Sequence, residues 1–187
     1  MRKPDCAATC VRFLEEKDPT WRVLAVAGES GAGKTTLANN IAERVGAAVL
    51  HQDDFFFLSP SETRAKRLED LANVGKEEVN LAVLEDAIVA FREGAAAVTP
   101  PLHHHPVSIA GERLVIEGTY VLGLQGVDVR IFIDRTFQQT EEDRRRRGRD
   151  AMEPFIEEVL AIEQPIVRAQ LESADIVVSA DFEPRKA

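Results

Sequence analysis

Val23-Leu24-Ala25-Val26-Ala27-Gly28-Glu29-Ser30-Gly31-Ala32-Gly33-Lys34-Thr35-Thr36 is an apolar run that breaks into glycines and ends on a lysine and two hydroxyls. The apolar part reads as a buried strand, and Gly28 to Thr35 fits GxxxxGK[ST] in the required context of a strand before and a helix after. Glycines at 28, 31 and 33 allow backbone conformations closed to other residues, so successive N–H groups can curl around a phosphate seated on a helix N-terminus. Lys34 adds a cation for the β and γ phosphates, and Thr35 offers a hydroxyl to Mg²⁺. Gly28, Ser30, Gly31, Ala32, Gly33, Lys34, Thr35 and Thr36 are therefore the expected nucleotide-binding residues, with Lys34 also acting in catalysis.

Outward from this stretch, strands and helices alternate. Residues 5–17 can form a helix closed by Asp18-Pro19, and Thr36 to Val45 resumes helical spacing before a second strand at Ala47 to His51. Residues 61–72 are polar and helix-permissive, and Val79 to Arg92 carries apolar residues at helix spacing. After a proline-flanked stretch, Thr99 to Pro106, come strands at Arg113 to Glu117 and Asp128 to Ile133. A charged helical region at Phe137 to Arg149, an amphipathic helix at Pro154 to Leu171 and a strand at Asp175 to Ser179 complete the pattern. Five buried strands joined through helices predict a three-layer α/β fold. The expected organisation is one domain over residues 1–187, with residues 1–20 as an N-terminal helix and lead-in and residues 141–152 as a lid.

The 187 residues, 44% of them apolar, suffice for one core. With 23 Lys and Arg against 32 Asp and Glu, the net charge of −9 disfavours a general hold on nucleic acid or on anionic membranes. No apolar run approaches the roughly eighteen residues that span a bilayer, and the N-terminal residues lack an apolar signal core, so a cytoplasmic protein is expected. Cys6 and Cys10 lack metal-ligand spacing and read as reduced thiols. A small-molecule partner is implied, and a homo-oligomer stays open.

Three further segments bear on chemistry. His51-Gln52-Asp53-Asp54-Phe55-Phe56-Phe57 closes the second strand where ligands collect in parallel sheets. One of its two acids can take a proton from an acceptor hydroxyl while the other helps hold Mg²⁺, or the pair can simply cap the turn. Glu117, at the end of a hydrophobic strand, suits a metal-associated carboxylate or a salt-bridged loop residue. Arg144 to Arg149 concentrates five guanidinium groups. It reads either as a solvated helix face neutralised by Glu141 to Asp143 or as a lid that brings charge to the transferring phosphoryl group. His103 and His105 can share one face of an extended strand, and acceptor binding suits them better than a metal site. Asp54 and Phe56 are the other expected acceptor contacts.

Taken together, Gly28 to Thr36, His51 to Phe56, Val115 to Leu122, Arg144 to Asp150, Ile162 to Val167 and Ala174 to Val178 resemble the uridine kinase and nicotinamide riboside kinase branch of P-loop kinases, close to phosphoribulokinase and pantothenate kinase. The resemblance runs from about Val23 to Ser179. It implies a P-loop NTPase fold with a five-stranded parallel sheet in the order 2-3-1-4-5, and ATP-dependent, Mg²⁺-requiring phosphoryl transfer to a hydroxyl, with a nucleoside or nucleoside-like acceptor first. A sugar, sugar phosphate or vitamin precursor is the alternative acceptor, and a nucleotide-dependent regulatory switch is a third reading. Carried over by position, the general base falls on Asp53, the metal-associated carboxylate on Glu117 beside Thr35, and the lid arginines on Arg145, Arg147 and Arg149. The chain departs from the pattern at Val79 to Glu85, which lacks the ribose-holding aromatic and Asp, and at Pro101 to His105, which replaces a base-reading segment. The transfer machinery is thus expected intact and the acceptor pocket altered.

Overall fold

A computed structural model describes residues 5–103, 105–147 and 154–187. At its centre, β1 (Val23–Gly28) is buried along its whole length, as expected of an inner parallel strand covered on both faces. Parallel neighbours lie on either side: β5 (Leu114–Gly118), then β2 (Ala48–His51) beyond it, and in the other direction β6 (Val129–Asp134) followed by β7 (Ile176–Ser179). The sheet has six strands rather than the expected five. The sixth, β8 (Pro184–Lys186), runs antiparallel to β7, giving the order β2-β5-β1-β6-β7-β8. Two-residue strands β3 (Ala97–Val98) and β4 (Val107–Ser108) form a separate antiparallel pair.

Side-chain alternation along β1 divides the interior in two. Leu24 and Val26 face one core with Cys10 and Leu14 of α1 (Cys6–Lys17) and Leu37 and Ile41 of α2 (Lys34–Val45). Val23, Ala25 and Ala27 face the other, with Leu84, Ile88 and Phe91 of α4 (Leu81–Arg92) and Val167 of α6 (Pro154–Arg168). Helices on both faces of one sheet make the three layers.

Local chemistry fixes the helix ends. Asp5 caps α1 by accepting from Ala8 N at 3.2 Å, and Asn80 caps α4 by accepting from Val83 N at 3.3 Å. The latter helix starts two residues later than its periodicity predicts, because Val79 is taken by a β-bridge to Phe56. α3 (Pro60–Glu69) opens with proline and a reciprocal Ser59/Glu62 capping box. The charged helix α5 (Glu141–Arg147) begins four residues after the predicted start, since the Thr140 hydroxyl is used on the Ser30 and Phe137 carbonyls at 2.8 and 3.0 Å. α6 passes into a short 3₁₀ turn, Ala169–Ser173, before β7.

Candidate active site

The phosphate loop joins β1 to α2, so its backbone N–H groups and the α2 N-terminus converge on one spot. Gly31 has φ 76°, and a Cβ there would lie 2.8 Å from both Arg144 Cγ and Thr140 Oγ1; conformation and close approach both demand glycine. Lys34 Nζ donates to the Glu29 carbonyl at 3.0 Å, spanning the loop.

Register brings the strand-end residues to the loop. Val26 pairs with Glu117 across β1 and β5, and His51 pairs with Glu117 across β2 and β5. Glu117 Oε1 accepts from Thr35 Oγ1 at 3.0 Å and lies 2.8 Å from His51 Nδ1. Burial alone would raise the Glu117 pKa, but the His51 hydrogen bond and the Lys34 charge outweigh it and hold the carboxyl below its ordinary value. The same hydrogen bond raises the His51 pKa against the effect of burial. An ionised carboxylate beside a hydroxyl is a hard-oxygen set that fits Mg²⁺, which takes few protein ligands and keeps water and phosphate for the rest.

Asp53 lies in the 3₁₀ turn Gln52–Phe55 that continues β2. Its side chain is exposed, yet nearby protein displaces enough water to raise its pKa; Lys34 opposes the rise, while Glu117 and Asp54 add to it. The turn is locked from below: Gln52 Oε1 accepts from Tyr120 N at 2.7 Å, and a Cβ on Gly118 would fall 2.3 Å from Gln52 Cβ.

The expected acceptor residues come together in part. His103 Nε2 lies 2.8 Å from Asp54 Oδ1, and the His103 and His105 rings meet edge to face at 5.3 Å. Phe56 is half-buried and packs on the core beside Val79, whereas Phe57 stands out in solvent. Among the described residues no group of three or more His, Cys, Asp or Glu could hold a metal ion, so the histidines form no such cluster there.

The described part of the arginine run divides between surface and interior. Arg145 is exposed and paired with Glu141 at 2.6 Å, the geometry of the solvated face. The Arg147 side chain and Arg149 lie outside the described residues. Arg144, which the sequence did not single out, is instead the residue turned inward: it packs on Gly31, is 2% exposed, and bonds the Phe137 carbonyl and Glu157 at 3.2 and 3.0 Å.

Glu29 was also missed. Its buried carboxylate accepts from Phe137 N at 2.6 Å, Gln164 Nε2 at 3.1 Å and Arg168 Nη1 at 3.3 Å, tying the loop to α6 and to the segment before α5. At the start of α2 a cavity of about 340 Å³ is lined by Gly33, Thr36, Asn40, Arg135 and Phe182, with Arg135 over the Phe182 ring at 5.6 Å. The motif foretold Gly33 and Thr36; Arg135 and Phe182 carry no motif.

Residues 23–181 match the phosphoribulokinase / uridine kinase family. The chain belongs to that family. It is thus a P-loop small-molecule kinase, and no helix among its described residues is long and apolar enough to cross a membrane. Among relatives of this kinase, the bifunctional alpha-galactosidase/sucrose kinase AgaSK of Mediterraneibacter gnavus is 28% identical over 189 residues, which cover 85% of the kinase chain but 20% of that relative. The uridine kinase of Lactobacillus johnsonii is 24% identical over 198 residues, covering 88% of each chain. In fold, the kinase is similar to the crystal structure of a candidate fructose transport system kinase from Silicibacter sp. TM1040, with TM-score 0.59, 20% identity, and coverage of 89% and 95% of the two chains.

Proposed function

We propose that this kinase moves the γ-phosphoryl group of ATP onto a hydroxyl of a small metabolite, with a nucleoside or nucleoside-like compound as the first acceptor class. The observation that carries the reading is the meeting of Thr35, Glu117 and His51 at 2.8–3.0 Å beside the phosphate loop, with Asp53 at the end of the adjoining strand.

In this reading the whole of residues 1–187 works as one kinase domain, and Gly28, Ser30, Gly31, Ala32, Gly33, Lys34, Thr35 and Thr36 hold the nucleotide phosphates. The nucleotide base enters the cavity walled by Arg135 and Phe182. Thr35 and Glu117 would hold Mg²⁺, which would supply positive charge to the phosphate oxygens. Asp53 accepts the acceptor proton as the acceptor oxygen bonds to γ-phosphorus and the bond to the bridging oxygen of the departing ADP breaks. Lys34 offsets the charge on that leaving group. His51 donates to Glu117 and keeps its carboxylate ionised and oriented. Asp54, Phe56, His103 and His105 wall the acceptor, and Arg145, Arg147 and Arg149 bring charge to the transferring phosphoryl group as residues 141–152 act as a lid.

A free sugar is the second acceptor class, favoured by the match to a relative whose name includes sucrose kinase. Incubation with γ-labelled ATP, Mg²⁺ and a panel of nucleosides, sugars and vitamin precursors tests the proposal. Label transferred to a small molecule supports it; slow hydrolysis that labels no acceptor points to a regulatory nucleotide switch and overturns it.

A further inference from the structure

Between the phosphate loop and the Asp53 segment lies a charged cluster to which the transfer chemistry assigns no role. Arg67 of α3 is clamped by two carboxylates: Nε and Nη2 donate to the two oxygens of Glu78 at 2.7 Å each, and Nη2 donates to Glu163 Oε1 of α6 at 3.0 Å. The three side chains are 16, 11 and 14% exposed. Tyr120, just beyond β5, is 6% exposed; its hydroxyl has no hydrogen-bond partner among the described residues and stands in the field of Glu163, Arg67 and Glu78.

Three contacts tie this cluster to the transfer site. Tyr120 N is bonded to Gln52, the neighbour of Asp53. Phe57 N donates to the Glu78 carbonyl at 3.0 Å, next to the Phe56–Val79 bridge. Glu163 lines a crevice with Glu29 and Ser30 of the phosphate loop, where burial raises its pKa and the Arg67 and Lys34 charges oppose the rise.

The charge balance then discriminates among acceptors. Among the described residues Asp53, Asp54, Glu78, Glu117 and Glu163 border this region, and the basic side chains set among them are engaged: Arg67 by two acids, His51 by Glu117 and His103 by Asp54. Lys34 serves the nucleotide. The adjoining cavity of about 370 Å³ has two acids, Glu77 and Glu78, in its lining beside a single lysine, Lys66. A phosphate or carboxylate entering here meets like charge, whereas hydroxyls donate to carboxylates without that repulsion. We propose that the acceptor is an uncharged polyhydroxyl compound and that the Glu78–Arg67–Glu163 clamp with Tyr120 sets this preference. The inference rests on the kinase reading and narrows it: free sugars and nucleosides stay, sugar phosphates and carboxylated precursors go.

The test uses the full chain, labelled ATP and Mg²⁺ with matched acceptors: nucleosides against their monophosphates, free sugars against sugar phosphates, and polyols against the corresponding hydroxy acids. Transfer confined to uncharged members, with kcat/KM at least about a hundredfold above the anionic partner, is expected for a site with a built-in charge preference. Glu163→Gln should shrink that ratio about tenfold, since one like charge is gone. If that variant fails to fold, Tyr120→Phe, which removes only the hydroxyl that would bond the bound acceptor, should raise KM for the uncharged acceptor about tenfold and keep kcat, as loss of one hydrogen bond to substrate predicts. Preference for a phosphate- or carboxylate-bearing acceptor, or unchanged ratios and KM in both variants, overturns the inference and leaves the kinase standing. Transfer to no member of the panel by a protein that binds ATP overturns the kinase reading beneath it.

Discussion

Replacing Glu29 by alanine asks whether the phosphate loop is held from behind by its own second residue. The carboxylate is 3% exposed and accepts from Phe137 N, Gln164 and Arg168. These donors do not lose equally. Gln164 keeps Gln138 Oε1 at 3.3 Å and Arg168 keeps Asp134 Oδ1 at 3.0 Å, so the Phe137 amide is the one left buried without an acceptor. An unsatisfied buried donor costs about 1–3 kcal/mol, and the weakened hold on Arg168 adds to it, for a total of about 2–4 kcal/mol. In a chain of this length each kcal/mol moves Tm by roughly 2–4 °C, which places the loss at roughly 5–15 °C. Turnover should fall by about a hundredfold as well, because the loop that carries Lys34 loses its anchor and small misplacements are costly in transfer reactions. Calorimetry and steady-state kinetics on Glu29→Ala read both, and Glu29→Gln, which still offers Phe137 N an oxygen, should recover most of the Tm. A Glu29→Ala protein that melts within about 2 °C of the parent and turns over normally would refute the reasoning.

Lys34→Ala should remain folded by circular dichroism and lose several orders of magnitude in phosphoryl transfer, since it serves phosphate charge. Asp53→Asn should lower kcat by roughly a hundredfold or more while ATP affinity, followed by titration calorimetry, changes little; lost ATP binding with kcat retained would make Asp53 a nucleotide residue. Among the single alanine variants of Arg145, Arg147 and Arg149, at least one should lose about two powers of ten in kcat. If all three match the parent at saturating ATP and acceptor, the run is a solvated face of the kind the Arg145–Glu141 pair already forms, each pair contributing only about 0.2–1 kcal/mol.

What the sequence made legible has a common cause. β1, β2, β5, β6 and β7 are short apolar runs with polar or turn residues at their ends, and such runs need no distant information to be read. The phosphate loop is contiguous, so Lys34 and Thr35 were evident, and Glu117 followed from its place at a strand end. Glu29 and Phe182 were opaque for the opposite reason. Glu29 sits at a position the motif leaves free, and its partners lie 108 to 139 residues away in the chain. Phe182 is an ordinary loop aromatic until the end of the chain folds back over Gly33. Arg144 was the nearer miss: it is four residues after Thr140, the spacing that puts both on one helical face, and both meet Gly31. β8 could not be read from Pro184, Arg185 and Lys186, which have no strand pattern and become a strand only by pairing.

That short strand also bears on self-association. It covers the outer edge of β7, whose Ile176, Val177 and Val178 would otherwise offer unpaired backbone and apolar side chains to any passing strand. Proline and two cations are poor templates for further growth, and Lys186 is fastened at 2.8 Å to Glu16 of α1. Fraying of these three residues would uncover a sticky edge in a fully folded molecule, so clumping of this kinase would begin there before any core contact is lost.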